Sequence, residues 1–395
     1  MTKELDIVLY GATGFTGQLC VRYFAKNARP NIRWAIAGRN EVKLRGIIKA
    51  LKLDVEVIVA DGEDTEALDH LTQRTKVVLS TAGPFHIYGS KLVASCVKNS
   101  THYVDITGEN FWVKEMIDKH HEEAAAKGIR IVPSCGYDSL PSDLVTLFAV
   151  ENMGKAVKHV ECYHTAKGGA SGGTIETVFA IADLKLGKKI RDPFLLNPEG
   201  SFSIDQTSQS RDTMAVSKNT MLDRWTGPFI MAFANTRVVR RSAALMEERG
   251  SAYGHEFVYH EGSYFKSGFK AFTAAAFTGL VILLISSPLR RVVRRFLPKP
   301  GEGPSETTMM NGHFKCLVVA EAEDGEKRTF SMYASGDPGY RLTTRFICES
   351  AMLLAGDVGS LPGGKSYGGV LTPATALGRP MIDMLLNKDV HLENL

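Results

Sequence analysis

The stretch Ile7-Val8-Leu9-Tyr10-Gly11-Ala12-Thr13-Gly14-Phe15-Thr16-Gly17 decides how the rest of the chain is read. Its apolar start predicts a buried strand, and three glycines spaced by two residues predict a tight turn into a helix. Each glycine has its own task. Gly11 turns the chain sharply off the strand, Gly14 lets backbone amides approach a pyrophosphate, and Gly17 lets the helix lie close to the sheet. The helix start adds unbonded N–H groups and a partial positive charge. Its continuation from Gln18 to Lys26 is amphipathic, with Leu19, Val21, Phe24 and Ala25 on the side that faces the sheet. Strand, glycine turn and helix in this order predict a dinucleotide phosphate site.

The unit then repeats. Trp34-Ala-Ile-Ala-Gly-Arg-Asn40 is a second buried strand, and it ends where the adenosine ribose of such a ligand lies. NAD sites usually place an acid there, whereas an arginine accommodates a 2′-phosphate, so Arg39 predicts NADP(H). The GxxGxxG spacing points the same way. Val55 to Asp61 forms a third strand, and Asp61 either borders the adenine or caps the helix that starts at Thr65. The fourth, Val77 to Ala82, runs into Gly83-Pro84-Phe85-His86. Ligands of open α/β sheets bind beyond the carboxyl ends of the strands, which places Ala82, Gly83 and Pro84 at the nicotinamide half. Tyr103 to Glu109 and Ile129 to Asp138 bring further polar groups to that edge. The expected cofactor contacts are Gly11, Thr13, Gly14, Phe15, Thr16, Gly17, Arg39, Asp61, Ala82, Gly83 and Pro84. Strands alternating with helices predict an α/β fold, an N-terminal Rossmann domain with a doubly wound parallel sheet.

A chain of 395 residues is long enough for two domains with real cores. Residues 1–150 form the NAD(P)-binding Rossmann domain. After residue 155 the runs Val157 to Ala166, Glu256 to Tyr259 and Phe314 to Ala320 partly alternate as half-buried strands do. Residues 151–350 are therefore expected to form an α+β substrate or dimerisation domain with a mixed or antiparallel sheet. Residues 351–395 supply C-terminal helices that pack back on the Rossmann domain. The glycine loop Gly168 to Gly173, ahead of a helix over 174–186, is either an anion cradle or a hinge. A net charge of +4 with no basic patch among aromatics excludes nucleic acid as a partner. The six cysteines form no CxxC pair, which predicts neither a zinc knuckle nor a disulfide framework, no metal, and a reduced intracellular setting. No apolar leader precedes the first strand, so secretion is not expected.

A second feature bears on location. Ala271 to Leu289 carries no charge, and Arg290, Arg291, Arg294 and Arg295 follow directly. A full crossing would put the two domains on opposite sides of a bilayer. Two expectations remain: the segment 271–297 dips into one leaflet with its arginines at lipid phosphates, or it is buried in a homodimer interface. The arginines favour the membrane surface.

The motifs Gly11 to Gly17, Ala37-Gly-Arg39, Gly83-Pro-Phe85, Tyr103-Val-Asp-Ile-Thr-Gly-Glu109, Gly136-Tyr-Asp-Ser-Leu-Pro-Ser-Asp143, Gly168 to Thr174, Pro298 to Ser305 and Gly369-Val-Leu-Thr-Pro-Ala374 follow one another along nearly the whole chain. In this succession the chain resembles the saccharopine dehydrogenase-like oxidoreductases, which include bacterial trans-acting enoyl reductases and animal lipid-droplet-associated members. The resemblance implies a Rossmann domain with NADP, a second α+β domain and, in the lipid-linked members, an apolar segment where this chain has Ala271 to Leu289. It implies attachment through 271–295 to the cytoplasmic face of a membrane or to a lipid droplet. Saccharopine itself is not expected as substrate, because the lysine-pathway enzymes carry a different glycine turn.

Such a reductase needs a proton donor on the crevice edge. Tyr137 is the first candidate, followed by Asp138 and Glu109, with His86 and Tyr88 nearby. Structural roles compete: Asp138 can cap the helix near Pro141, and Glu109 can hold a loop. Tyr163-His-Thr-Ala-Lys167 has the YxxxK spacing of short-chain dehydrogenases, but it reads as a strand, where that pair cannot share a helical face. The expected activity is NADP(H)-dependent reduction of a lipid-like or other hydrophobic enoyl, carbonyl or imine substrate at a membrane surface. A non-catalytic cofactor-binding protein on lipid, or a soluble reductase of a small amino-acid or imine metabolite, are the alternatives.

Overall fold

The structure is a computed structural model that describes residues 3–137, 139–169, 179, 191–287, 290, 294, 297 and 302–395. Asp138, most of the glycine loop with the helix expected over 174–186, Arg291, Arg295 and residues 298–301 lie outside the described residues.

The first strands follow the expected rhythm: β1 (Leu5–Tyr10), β2 (Trp34–Gly38), β3 (Glu56–Val59), β4 (Thr75–Ser80), β5 (His102–Asp105) and β6 (Arg130–Val132). Next come β7 (Val157–Lys167), β8 (Ser217–Asn219), β9 (Arg224–Gly227), β10 (Val258–Phe265), β11 (His313–Ala322) and β12 (Lys327–Ser335). Two short strands, β13 (Gly369–Val370) and β14 (Val390–Asn394), complete the set.

The first sheet runs β13-β6-β5-β4-β1-β2-β3, and every pairing in it is parallel. The order reverses between β1 and β4, which is the switch point where a doubly wound sheet binds ligands. All six residues of β1 are buried because helices cover both faces. Ile7 and Leu9 enter one core, and Val8 and Tyr10 the other.

The second sheet runs β14-β12-β11-β7-β10-β9-β8. It is mixed: β10 lies parallel to β7, while its other pairs are antiparallel. One face packs on the Leu140–Met153 helix, so a single core continues from Val77 and Leu79 through Leu144 to Val160 and Phe330. After the second sheet the chain returns. The helix Thr343–Ala355 lies against β4, β5 and β1, and β13 then extends the first sheet beside β6.

Two buried anchors join these layers. Asp143 accepts the Ser242 hydroxyl at 2.5 Å and the Ala374 amide at 2.7 Å. Arg241 donates to the carbonyls of Leu196 and Val370, the latter at 2.7 Å. Burial raises the Asp143 carboxyl to about 7 against these donors, which pull the other way.

Candidate active site

The glycine turn is built as its residue types require. Gly11 has φ +85°, and a Cβ there would meet the Ala82 amide at 2.9 Å. The turn after β1 thus rests directly on the end of β4, bringing Gly11 and Ala82 together. At Gly17 a Cβ would meet the Gly11 carbonyl at 2.2 Å, so only glycine lets the helix Phe15–Asn27 sit this close. Around Gly14 the nearest obstacle to a Cβ is the Gly11 oxygen at 3.4 Å. Gly14 is the N-cap and has no side-chain cap to offer, so the first amides of the helix are open to an anion. Thr13 and Thr16 are half-buried beside it. Phe15 is held edge-on to Tyr340 with ring centroids 5.2 Å apart, and Gly303 approaches the same ring so closely that a Cβ would lie 2.4 Å from it.

At the adenosine end Arg39 is exposed past β2. Its charge and that of Asp61 both act on Tyr10: burial pushes the phenol up to about 12, Asp61 adds to the rise and Arg39 opposes it. Asp61 does not cap the following helix. It accepts the Glu63 amide at 3.0 Å in a local turn, and the N-cap of Thr65–Arg74 is Asp64, which accepts from Ala67. The carboxylate three residues closer to the helix has the reach that Asp61 lacks.

On the nicotinamide side Ala82 is half-buried, and Gly83 and Pro84 are joined by a cis peptide ahead of the short helix Phe85–Tyr88. Glu109 is buried and holds this helix. Its carboxylate accepts the amides of Phe85 at 2.8 Å and His86 at 2.9 Å, and pairs with His86 Nδ1 at 2.5 Å. The His86 side chain remains 15% exposed. Beneath it, Asp105 accepts from Tyr103, Thr107 and Ser134, fixing the loops after β5 and β6, and burial raises its carboxyl to about 7.

Tyr137 packs toward the second sheet. It is 6% exposed, its amide donates to Thr343, its ring packs edge-on against Phe314, and its hydroxyl is 3.4 Å from His164 Nδ1. Tyr163 and Lys167 are both on β7, a strand. Gly169 spends its amide on Asp337, at 2.7 Å. Sequence reading missed the residues that the chain beyond β7 brings to this edge. Met231 comes within 3.9 Å of a Cβ placed on Gly108, and Thr343 within 3.2 Å of one on Gly136. Neither carries a motif, because long-range packing alone delivers them.

Comparison with known proteins agrees with this geometry. Residues 7–132 match the family described as saccharopine dehydrogenase NADP binding domain. A trans-acting enoyl reductase of Mycobacterium ulcerans is 34% identical over 408 residues, covering 97% of this chain and 96% of that protein. One from Mycobacterium tuberculosis is 34% identical over 409 residues with the same coverage, 97% and 96%. Among solved structures, apo saccharopine dehydrogenase (L-Glu forming) from Saccharomyces cerevisiae superposes with TM-score 0.53 at 12% identity, over 99% of this chain and all of that one. That likeness speaks for the fold: a parallel nucleotide-binding sheet followed by a second, mixed sheet. The uncapped glycine turn lies inside the matched NADP-binding region, and the rest of the chain aligns end to end with enoyl reductases, so the protein belongs to the saccharopine dehydrogenase-like family and is an NADP-dependent oxidoreductase.

Proposed function

We propose that the protein reduces an apolar enoyl substrate with NADPH while resting on a lipid surface. The observation that carries the lipid reading is the helix Gly268–Ser286. Its start packs on the second sheet through Gly268, which lies against Trp225, and the buried Ala271, while large apolar side chains along its length face outward. Phe269 is 79% exposed, Phe277 66%, Leu283 65% and Phe272 62%. An apolar surface of this kind calls for a cover. Inserting such side chains in an acyl layer contributes about 1.5–3 kcal/mol each, enough for reversible attachment. Among the described residues no helix is long and apolar enough to cross a membrane, which favours lying in one leaflet. Arg290 and Arg294 follow the helix, and Arg294 stands over the Phe179 ring at 5.8 Å.

In this reading the amides at the helix start, Phe15 to Gly17, hold the pyrophosphate, with Gly11, Thr13, Gly14 and the side chains of Phe15 and Thr16 lining the turn. Arg39 takes the 2′-phosphate, Asp61 borders the adenosine, and Ala82, Gly83 and Pro84 line the nicotinamide half. Bound NADPH supplies a hydride to the enoyl double bond. His86, in its imidazolium form, gives up its Nε2 proton to complete the saturated product, and Glu109 holds the ring by accepting from Nδ1–H. The mycobacterial relatives, named as enoyl reductases, support the substrate class.

Flotation with anionic phospholipid vesicles and NADPH oxidation with an enoyl thioester test the two halves separately. The wild type is expected to float, and Phe272→Asp with Phe277→Asp to remain in solution while turning over a short, water-soluble thioester. His86→Gln is expected to lose turnover by roughly 100-fold or more, with Tyr137→Phe near wild type. A wild type that stays in solution sinks the lipid reading. Unchanged turnover in His86→Gln sinks the proton assignment.

A further inference from the structure

Below Tyr137 lies a polar cluster that the reduction does not use. Cys162 and His164 are two residues apart on β7 and therefore share a face of the sheet. Cys316 on β11 is the cross-strand partner of His164, and Glu261 on β10 is the partner of Cys162. Three adjacent strands thus place two sulfurs, an imidazole and a carboxylate together in the interior. Cys162 and Cys316 are fully buried, and the side chains of His164 and Glu261 are 1% and 0% exposed. The donor atoms of Cys162, His164 and Cys316 all lie within 4.8 Å of one another.

From His164 Nε2, Cys162 Sγ is 3.4 Å away, Glu261 Oε1 3.3 Å and Cys316 Sγ 3.9 Å. Metal–sulfur bonds of ~2.3 Å and metal–nitrogen or metal–oxygen bonds of ~2.0 Å at tetrahedral angles give ligand–ligand edges of roughly 3.3–3.8 Å. Two of the three distances already match. Cys316 Sγ, 3.2 Å from Nδ1, has to swing toward the Nε2 edge, and Glu261, close to His164 but outside the set of three mutually close donors, has to draw in toward the sulfurs to complete the set. The surroundings are those that orient metal ligands. Tyr137 sits on His164 Nδ1, Tyr259 donates to Glu261 Oε2 at 2.8 Å, and Asn235 donates to Oε1 at 2.5 Å. Phe229 stacks on the imidazole at 4.7 Å and 7°, fixing its plane. Ser142 Oγ is also 3.2 Å from Nε2 and within 3.4 Å of the Asn235 amide, a partner it keeps if a metal takes the nitrogen.

Tyr137, Ser142, Asn235 and Tyr259 are hydrogen-bond partners of His164 and Glu261, whereas the two sulfurs add little as donors. A carboxylate and two sulfurs surround a ring that has one N–H when neutral, and thiols donate weakly. Two sulfurs, an imidazole and a carboxylate gathered in one buried cluster are the donor types that a zinc-like cation selects.

We propose that Cys162, His164, Cys316 and Glu261 form a closed, four-coordinate site for a zinc-like divalent cation that ties β10, β7 and β11 together beneath the nucleotide-binding domain. The ion binds two thiolates, the Nε2 lone pair of neutral imidazole and one carboxylate oxygen, and each thiol that still carries a proton releases it to solvent. All four positions are protein ligands, so the site is structural and leaves no coordination open for substrate.

The test uses the full chain without a metal-binding tag, produced in zinc-supplemented medium and purified without chelator. Elemental analysis is expected to find about one zinc per chain, and loading with Co²⁺ to give a thiolate-to-metal charge-transfer band. Cys162→Ser and Cys316→Ser are expected to lose both signals. Should those variants fail to fold, Tyr259→Phe removes a hydroxyl that is an outer partner of both Glu261 and Cys162 and is expected to weaken metal affinity roughly 10- to 100-fold. A folded wild type with under about a tenth of a metal per chain after zinc incubation, and no charge-transfer band with Co²⁺, overturns the proposal. So does full metal content in Cys162→Ser.

Discussion

Gly14 and Gly17 are two glycines of one turn, yet alanine should affect them in different ways. At Gly14 the backbone is extended, with φ −71° and ψ 167°, a conformation open to any residue. The new Cβ would touch only the Gly11 oxygen, at an ordinary 3.4 Å. Gly14→Ala should therefore change stability by under about 1 kcal/mol. The methyl group would nevertheless stand where a pyrophosphate must approach the helix amides. Losing one charge-assisted hydrogen bond of ~1.5–3 kcal/mol weakens NADPH binding about 10- to 100-fold. At Gly17 the Cβ would lie 2.2 Å from the Gly11 oxygen and 2.9 Å from the Ala12 Cα, both backbone atoms that cannot swing aside. Gly17→Ala should lower stability by about 1–3 kcal/mol or more and weaken binding as well. NADPH fluorescence titration beside thermal melts separates the cases. A folded Gly14→Ala protein with wild-type NADPH affinity would refute the placement of the phosphate.

Three further outcomes follow from the same geometry. Arg39→Ala should lose at least about 10-fold in affinity for NADPH and nothing for NADH; an equal loss for both cofactors in titrations would show that Arg39 does not read the 2′-phosphate. Asp143 keeps its proton to about pH 7 in the native state, whereas the unfolded chain releases it near about 3.9. The native state binds more protons between those values, so this group's contribution to stability falls as pH rises through that window. In Asp143→Asn, denaturation midpoints followed across the window should show a shallower decline than the wild type, and an equal slope would contradict the buried proton. Glu109→Gln leaves at least one of the three donors on the Phe85–Tyr88 helix without an oxygen to accept from it. It should cost about 1–3 kcal/mol in unfolding experiments, together with turnover.

The first sheet was largely legible because its signals are local. A run such as Ile7 to Tyr10 followed by glycine states a strand and its exit within a few residues, and alternation in β7 and β11 announced the second sheet's partly exposed faces. What stayed hidden depends on pairing across distance. Gly369 and Val370 have no strand pattern of their own and become β13 only because β6 offers an unpaired edge. Cys162, His164 and Cys316 show no metal-binding spacing along the chain, since register across β7 and β11 brings them together. Asp61 and Asp64 are chemically equivalent in sequence, and one turn of geometry decided between them. Tyr137 illustrates the opposite difficulty: a polar residue after a strand reads as a crevice group, while packing against Phe314 buries it.

The placement of β13 and β14 has a consequence for how the protein is made. β13 completes the edge of the first sheet, and β14, twenty residues further on by number, completes the edge of the second. During synthesis, residues 1 to 132 emerge long before either strand, so the nascent nucleotide-binding half must wait with β6 exposed, an edge that invites foreign strands. The helix Thr343–Ala355, which covers the β1 and β4 face, arrives equally late. A ribosome that stops short of residue 369 would release two unfinished sheets at once, and quality control would meet a chain with neither half sealed.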